Sequence, residues 1–379
     1  MLGVAWPSMR LSFDVPTSAA GLILPVGVAA GLIATSLSGY VVSKLGVGRL
    51  LAAGTLLSAA ALGVSAASVT FWQFLISVGL LGLSAGAVDA TLNAYAARAV
   101  GPRRINLMHA CYGVGAAVSP LIVTAVITSR ASWRWSYVII GVLQFAVAAT
   151  FVMTRRRWAT PPPQTPVNAS PDAKRVGSPR SAPTWTVDSV LGLAAVAVQT
   201  GIETSAALWA YTFLTAGLSV APSVAGILAS GYWLTMIIGR IAFGVLAERM
   251  GAWRVMAMAV IGLLIAALLV NLGGTSPVLA MIGIAGIGLA TAPMYPLLII
   301  TTAERTSAAV ADRVVGFQAA ASSIGAGLLP PLVGFAMGLS VNSFAPTLAI
   351  LCLLAAGLQM ALRRRRRRRS LTGVSGERP

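Results

Sequence analysis

The chain has 379 residues, of which 57% are hydrophobic and 9% charged, and its formal net charge is +18. A mean hydropathy of +0.85 excludes a soluble globular protein of this length. The expected fold class is an all-α polytopic membrane protein.

Eleven apolar stretches, each long enough to cross a hydrocarbon core of ~30 Å as a helix, run at 18–42, 50–68, 71–97, 105–129, 133–154, 187–213, 222–247, 253–272, 277–303, 314–338 and 344–362. Ahead of them, MLGVAWPSMRLSFDVPTSAAG reads as the outer end of a helix followed by a short exterior loop. Trp6 is expected at interface depth, with Pro7 and Pro16 as breakers. No signal peptide is visible in residues 1–17, so a twelfth span of roughly 20 apolar residues is expected to precede the chain.

The positions of the Lys and Arg residues say more than their number. Lys44, Arg49, Arg98, Arg103, Arg104, Arg155 to Arg157, Lys174, Arg175, Arg180, Arg249, Arg254, Arg305, Arg313, Arg363 to Arg369 and Arg378 fall on one side of the alternating spans. Only Arg10, Arg130 and Arg134 fall on the other, and Arg240 lies within a span. The rich side is expected to be the cytoplasm, with the C-terminus inside and the chain in the cytoplasmic (inner) membrane. The positive charge is then a topology signal, and nucleic acid is not an expected partner. Cys111 and Cys352 lie within spans and read as small packing residues rather than a disulfide.

In the span 71–97, Asp89 and Asn93 are one turn apart on one helix face. A hinge at Gly101-Pro102 follows, and the next span carries His109, the one histidine in the chain. Counting ~1.5 Å per residue from the flanking arginines puts Asp89 and His109 about 7–14 Å from the cytoplasmic surface. An ionised carboxylate near the bilayer centre costs about 2.5–3.5 kcal/mol, so a deep acid is expected to face a water-filled cavity or a partner. The segment 155–186 is rich in Pro, Ser and Arg, and reads as an extended cytoplasmic linker. It separates an N-terminal bundle, 1–154, from a C-terminal bundle, 187–362, with a basic cytoplasmic tail at 363–379.

Glu203 is the second deep acid, somewhat beyond the midplane of its span, with Gln199 on the same face. With Asp89 it is expected to face the interface between the two halves, where transporters built from repeats bind their substrate. Arg240 reads as near the inner end of its span, structural or gating, with its charge snorkelling outward. In ATAPMYPLLI, two prolines three residues apart are each expected to kink the helix; Tyr295 between them contacts substrate or fills the kink. The run 363–369 is expected to anchor the last helix against anionic lipid.

Two stretches repeat. GYVVSKLGVGRLL at 39–51 and GVLAERMGAWRVM at 244–256 share G-x6-G-x2-R at an offset of 205 residues (46 to 251), as Gly39, Gly46 and Arg49 match Gly244, Gly251 and Arg254. GAAVSPL at 115–121 and GAGLLPP at 325–331 share G-x4-P. The chain therefore reads as two parallel repeats.

These repeated loops resemble the signature loop of the major facilitator superfamily: glycine, three residues, an acid, a base, a residue, glycine. The second copy keeps the acid and base as Glu248 and Arg249; in the first, Ser43 occupies the acidic place and Lys44 keeps the basic one. VDATLNAYAARAVGP followed by RINLMHACYGVGA resembles the fucose permease branch of sugar:proton symporters. There Asp89 and Asn93 match an acid followed four positions later by asparagine, Asn106-Leu107 matches the helix start, and His109 stands where the fucose permease carries glutamine.

The resemblance implies a monomeric transporter that moves a small, sugar-like polar solute by alternating access with proton coupling. Asp89, Asn93, His109, Glu203, Gln199 and Tyr295 are its expected coupling and substrate residues, and Gly39, Lys44, Gly46, Arg49, Arg240, Gly244, Glu248, Arg249 and Gly251 its gating residues. The competing reading is proton-coupled efflux of amphipathic compounds. Such antiporters usually carry a glycine-proline pair on the span 105–129, where this chain has Ser119 before Pro120. No catalytic constellation, nucleotide loop or metal-ligand cluster is visible in the sequence, so neither an enzyme nor a cofactor is expected.

Overall fold

A backbone crossing hydrocarbon can satisfy its N–H and C=O groups only within the segment, so each apolar stretch is helical. The computed structural model describes residues 1–99, 102–158, 185–306 and 308–373, although the side chains of 97–99, 102–107, 109, 110, 308, 309, 312 and 369–373 lie outside that description. Among the described residues there are 11 helical segments long and apolar enough to cross a membrane, and no strand.

In chain order the helices are α1 (Leu2–Phe13), α2 (Ile23–Leu45), α3 (Val47–Ala67), α4 (Phe71–Ala99), α5 (Pro102–Thr128) and α6 (Arg134–Thr154). They continue with α7 (Val187–Thr212), α8 (Pro222–Met250), α9 (Ala252–Asn271), α10 (Pro277–Thr291), α11 (Met294–Ile300), α12 (Thr302–Arg305), α13 (Ala308–Leu339) and α14 (Phe344–Gly373). The chain divides into two compact units, one holding Ala5 to the end of α6 and the other holding α7 to α14. The linker expected at 155–186 falls mostly on 159–184, outside the described residues. Its first residues turn back: Trp158 packs on Tyr95 of α4 at 5.1 Å between ring centroids.

The opening segment corrects one expectation. Pro7 does not break α1, which runs through it to Phe13; the turn comes at Asp14, in the left-handed region with φ 51. Trp6 is fully buried in the protein, its indole N–H donating to the Thr17 carbonyl at 3.0 Å. Buried apolar packing takes the ring, and one local carbonyl satisfies its polar end.

In the first unit α2 lies against α4, and α3 against α4 and α6. The α2–α4 seam is unusually close. A Cβ on Gly82 would collide with the carbonyl oxygen of Gly27, and one on Gly86 with that of Gly31. Two glycine pairs at four-residue spacing thus bring the backbones together, as small residues do in helix pairs within lipid. Thr35 Oγ1 extends the seam by donating to the Gly86 carbonyl at 3.3 Å.

In the second unit α7 packs on α13 and α14, and α10 on α8 and α9. The expected kink is present at the first of the two prolines: α10 ends at Thr291 and α11 begins at Met294, just after Pro293, and runs on through Pro296. At the short α12, buried Arg305 folds back to donate to the carbonyls of Thr301, at 3.2 Å, and Leu298. It thereby satisfies carbonyls at a helix end that has no following turn. Burial pulls its guanidinium down to about 10, with Asp188 and Glu304 acting in the opposite direction.

The arginine run does not leave the helix, because α14 continues through it to Gly373. Arg365 pairs with Asp188, which is 3% exposed at the start of α7. Arg366 lies 3.4 Å from Glu304, whose carboxylate also accepts from the Trp253 indole at 2.8 Å. Part of the run therefore ties α14 to its own bundle.

The repeated loops share one backbone conformation. Gly46 ends α2 with φ 81 and ψ 158, and Gly251 ends α8 with φ 86 and ψ 146. Each amide donates to the carbonyl four residues earlier, of Val42 and Ala247 respectively. That region is essentially closed to residues with a Cβ. Space is open around both positions, so a substitution meets backbone strain and nothing else. Gly251→Ala is expected to cost about 1–3 kcal/mol, seen as a lower thermal midpoint of the purified protein in detergent. Gly244→Ala, inside α8 with open space around it, is expected to leave the midpoint unchanged or slightly higher. Equal midpoints for the two variants would show that the turn tolerates other conformations.

Candidate functional site

The sites are built from acid–amide pairs one helical turn apart, a spacing that stacks side chains on one face. On α4, Asn93 Nδ2 donates to Asp89 Oδ1 at 2.9 Å and to the Asp89 main-chain oxygen at 3.0 Å. Asp89 is exposed and Asn93 half-buried, and among the described residues Asp89 has no cationic partner. Among the described residues, the second carboxylate oxygen and the Asn93 amide oxygen have no hydrogen-bond partner. His109 lies on α5, but its side chain falls outside the described residues.

On α7 the order is reversed, with the amide preceding the acid. Gln199, fully buried, donates through Nε2 to Glu203 Oε2 at 3.1 Å and to the Thr291 carbonyl at 3.3 Å. That carbonyl is available because α10 ends there at the proline break. Thr200 Oγ1 meets Ser322 Oγ of α13 at 3.0 Å. From α8, Tyr232 donates its hydroxyl to the Glu203 main-chain oxygen at 3.0 Å, and Arg240 Nη2 stands 4.0 Å from Glu203 Oε1.

Sequence reasoning singled out Gln199, Glu203 and Arg240 but not Tyr232, which the structure brings to the same place. The α8 helix has 29 residues, about 43 Å at 1.5 Å per residue. At the offset linking Gly46 to Gly251, Arg240 is the counterpart of Thr35, which lies well inside α2.

The remaining expected residues are not gathered with these. Tyr295, half-buried, packs against the apolar cluster of Ala195, Val196, Trp253, Leu297, Leu298 and Leu362, in keeping with an aromatic that fills the kink. In the signature loops Gly39, Lys44, Arg49, Gly244, Glu248 and Arg249 are exposed. Lys44 lies 5.9 Å from the Tyr40 ring centroid. Among the described residues Glu248 and Arg249 form no ion pair, and no cluster of His, Cys, Asp and Glu is arranged to hold a metal.

Chemically, a carboxylate accepts from hydroxyls, an amide both donates and accepts, and either acid can bind and release a proton. The arrangement suits a hydroxyl-bearing solute. Among the described residues it holds no nucleophile paired with a base.

No curated protein matches the chain. Among solved structures, a mutant of the nucleoside transporter NupG is similar with a TM-score of 0.73 at 14% identity, covering 95% of this chain and 94% of that one. A mutant of the peptide transporter POT in complex with sulfate gives 0.74 at 16% identity, covering 96% and 90%. A D-xylose-proton symporter gives 0.68 at 13% identity, covering 94% and 92%. Identities this low carry the fold alone. The profile of the Major Facilitator Superfamily matches residues 1–207 and again 191–378, and the chain therefore belongs to that superfamily, as a transporter rather than an enzyme.

Proposed function

We propose that the protein moves a small, sugar-like polar solute across the cytoplasmic membrane by alternating access, driven by protons, with its C-terminus in the cytoplasm. The observation that carries this reading is the pairing of each deep acid with an amide one turn away: Asn93 on Asp89 at 2.9 Å and Gln199 on Glu203 at 3.1 Å. Such a pair supplies both donors and acceptors to hydroxyl groups while keeping an acid that can take up a proton. The resemblance of the Asp89–Asn93 stretch to the fucose permease branch points the same way. The protein is taken to work as a monomer, with lipid as its surroundings.

Membrane vesicles of known orientation test the reading against labelled sugars and labelled amphipathic cations. Right-side-out vesicles with an alkaline interior are expected to accumulate a sugar, and to lose the accumulation when a protonophore collapses the gradient. Extrusion of the amphipathic compounds, with no sugar movement in either orientation, would overturn the reading in favour of efflux.

A further inference from the structure

Resting on the solute-transport reading above, we propose that Arg240 is the recognition residue for a carboxylate carried by the transported solute, and that Glu203 competes with this carboxylate for the guanidinium. The substrate class is then a monoanionic, hydroxylated acid, such as a sugar acid, rather than a neutral sugar.

Arg240 stands well inside α8, between Pro222 and Met250. A guanidinium at that depth is kept only where it meets water or an anion. Its side chain is 50% exposed, against 16% for Glu203, so the positive group has an open side and the negative group has little. The pair is also loose. At 4.0 Å, Nη2 and Oε1 are beyond hydrogen-bond reach, while the other carboxylate oxygen is held by Gln199 at 3.1 Å. Among the described residues Arg240 donates no hydrogen bond, although a guanidinium carries five N–H groups in a planar fork. That fork matches a carboxylate in two-point geometry.

The repeat supplies an independent observation. Thr35, the counterpart of Arg240 in the first unit, meets the neighbouring helix with a neutral hydroxyl at 3.3 Å from the Gly86 carbonyl. Packing at this position therefore does not call for a charge, and the arginine adds one. Glu203 narrows the class further. A phosphate dianion would bring about two negative charges beside an existing carboxylate, whereas a solute carboxylate brings one.

Binding to the purified full-length protein tests the proposal, with D-glucose and D-galactose as neutral probes and D-glucuronate and D-galacturonate as their acids. The uronates are expected to bind more tightly than the parent sugars. Arg240→Gln is expected to weaken uronate binding about ten- to a hundred-fold while leaving the neutral sugars unchanged. Arg240→Lys, which keeps the charge but loses the fork, is expected to give an intermediate loss and covers the case in which the glutamine variant does not fold. Glu203→Gln is expected to move the other way, tightening uronate binding by removing the competitor.

Neutral sugars binding as tightly as uronates, or Arg240→Gln weakening both classes equally, would overturn the carboxylate site and leave polar-solute transport standing. Binding of neither class would also overturn it; combined with extrusion of amphipathic compounds from vesicles, that result would remove the transport reading as well.

Discussion

Replacing Asp89 by asparagine is expected to abolish accumulation against a gradient while leaving exchange of solute across the membrane partly intact. The substitution is conservative in shape, since the introduced amide oxygen can accept from Asn93 Nδ2 much as Asp89 Oδ1 does at 2.9 Å. What it removes is the ability to carry a proton. With one proton moved per solute, a pH difference of one unit sustains about a tenfold concentration ratio. In the variant that ratio is expected to fall to one. Exchange of labelled for unlabelled solute needs no net proton release, and is expected to continue at a reduced rate. If Asp89 only holds α4 in place, the variant will instead yield less folded protein, and what remains will accumulate solute with the original dependence on the gradient. That outcome would move proton coupling to Glu203.

The second large effect is expected at the α2–α4 seam. Gly86→Val puts a branched side chain where a single Cβ already collides with the Gly31 carbonyl. A backbone carbonyl cannot rotate out of the way as a side chain can, so the helices must separate along their length. The expected loss is about 3 kcal/mol or more, at the upper end for overpacking, read as loss of monodisperse protein on extraction and a collapse of the thermal midpoint. Gly79→Ala on the same helix meets only the Val26 side chain, at an ordinary 3.6 Å, and is expected to be neutral. A Gly86→Val protein with an unshifted midpoint would mean that the seam is not close-packed in the membrane.

The fold was readable because spanning helices announce themselves by length and apolarity. The repeat announced itself through glycines whose backbone geometry admits little else: Gly46 and Gly251, 205 positions apart, adopt nearly the same φ. Asp89, Asn93, Gln199 and Glu203 were readable for a related reason, since polar side chains are conspicuous in apolar surroundings and i, i+4 spacing fixes a shared face.

Contacts between helices were not readable. Nothing in the local sequence around Tyr232 says that its hydroxyl reaches the Glu203 backbone, and nothing around Arg365 that it finds Asp188, because those meetings depend on how α7, α8 and α14 pack. Nor did the glycines at 27, 31, 82 and 86 stand out in a chain with 39 glycines; only their mutual facing distinguishes them.

The glycine seam also limits how the first unit can deform. Where backbones touch without intervening side chains, neither helix can roll or slide without opening a void or driving a carbonyl into its neighbour. α2 and α4 therefore behave mechanically as one beam, with Asp89 mounted one turn beyond its last glycine contact. A distance measured between these two helices is therefore expected to stay constant through the working cycle, and would serve as an internal ruler against which displacements elsewhere in the protein are calibrated.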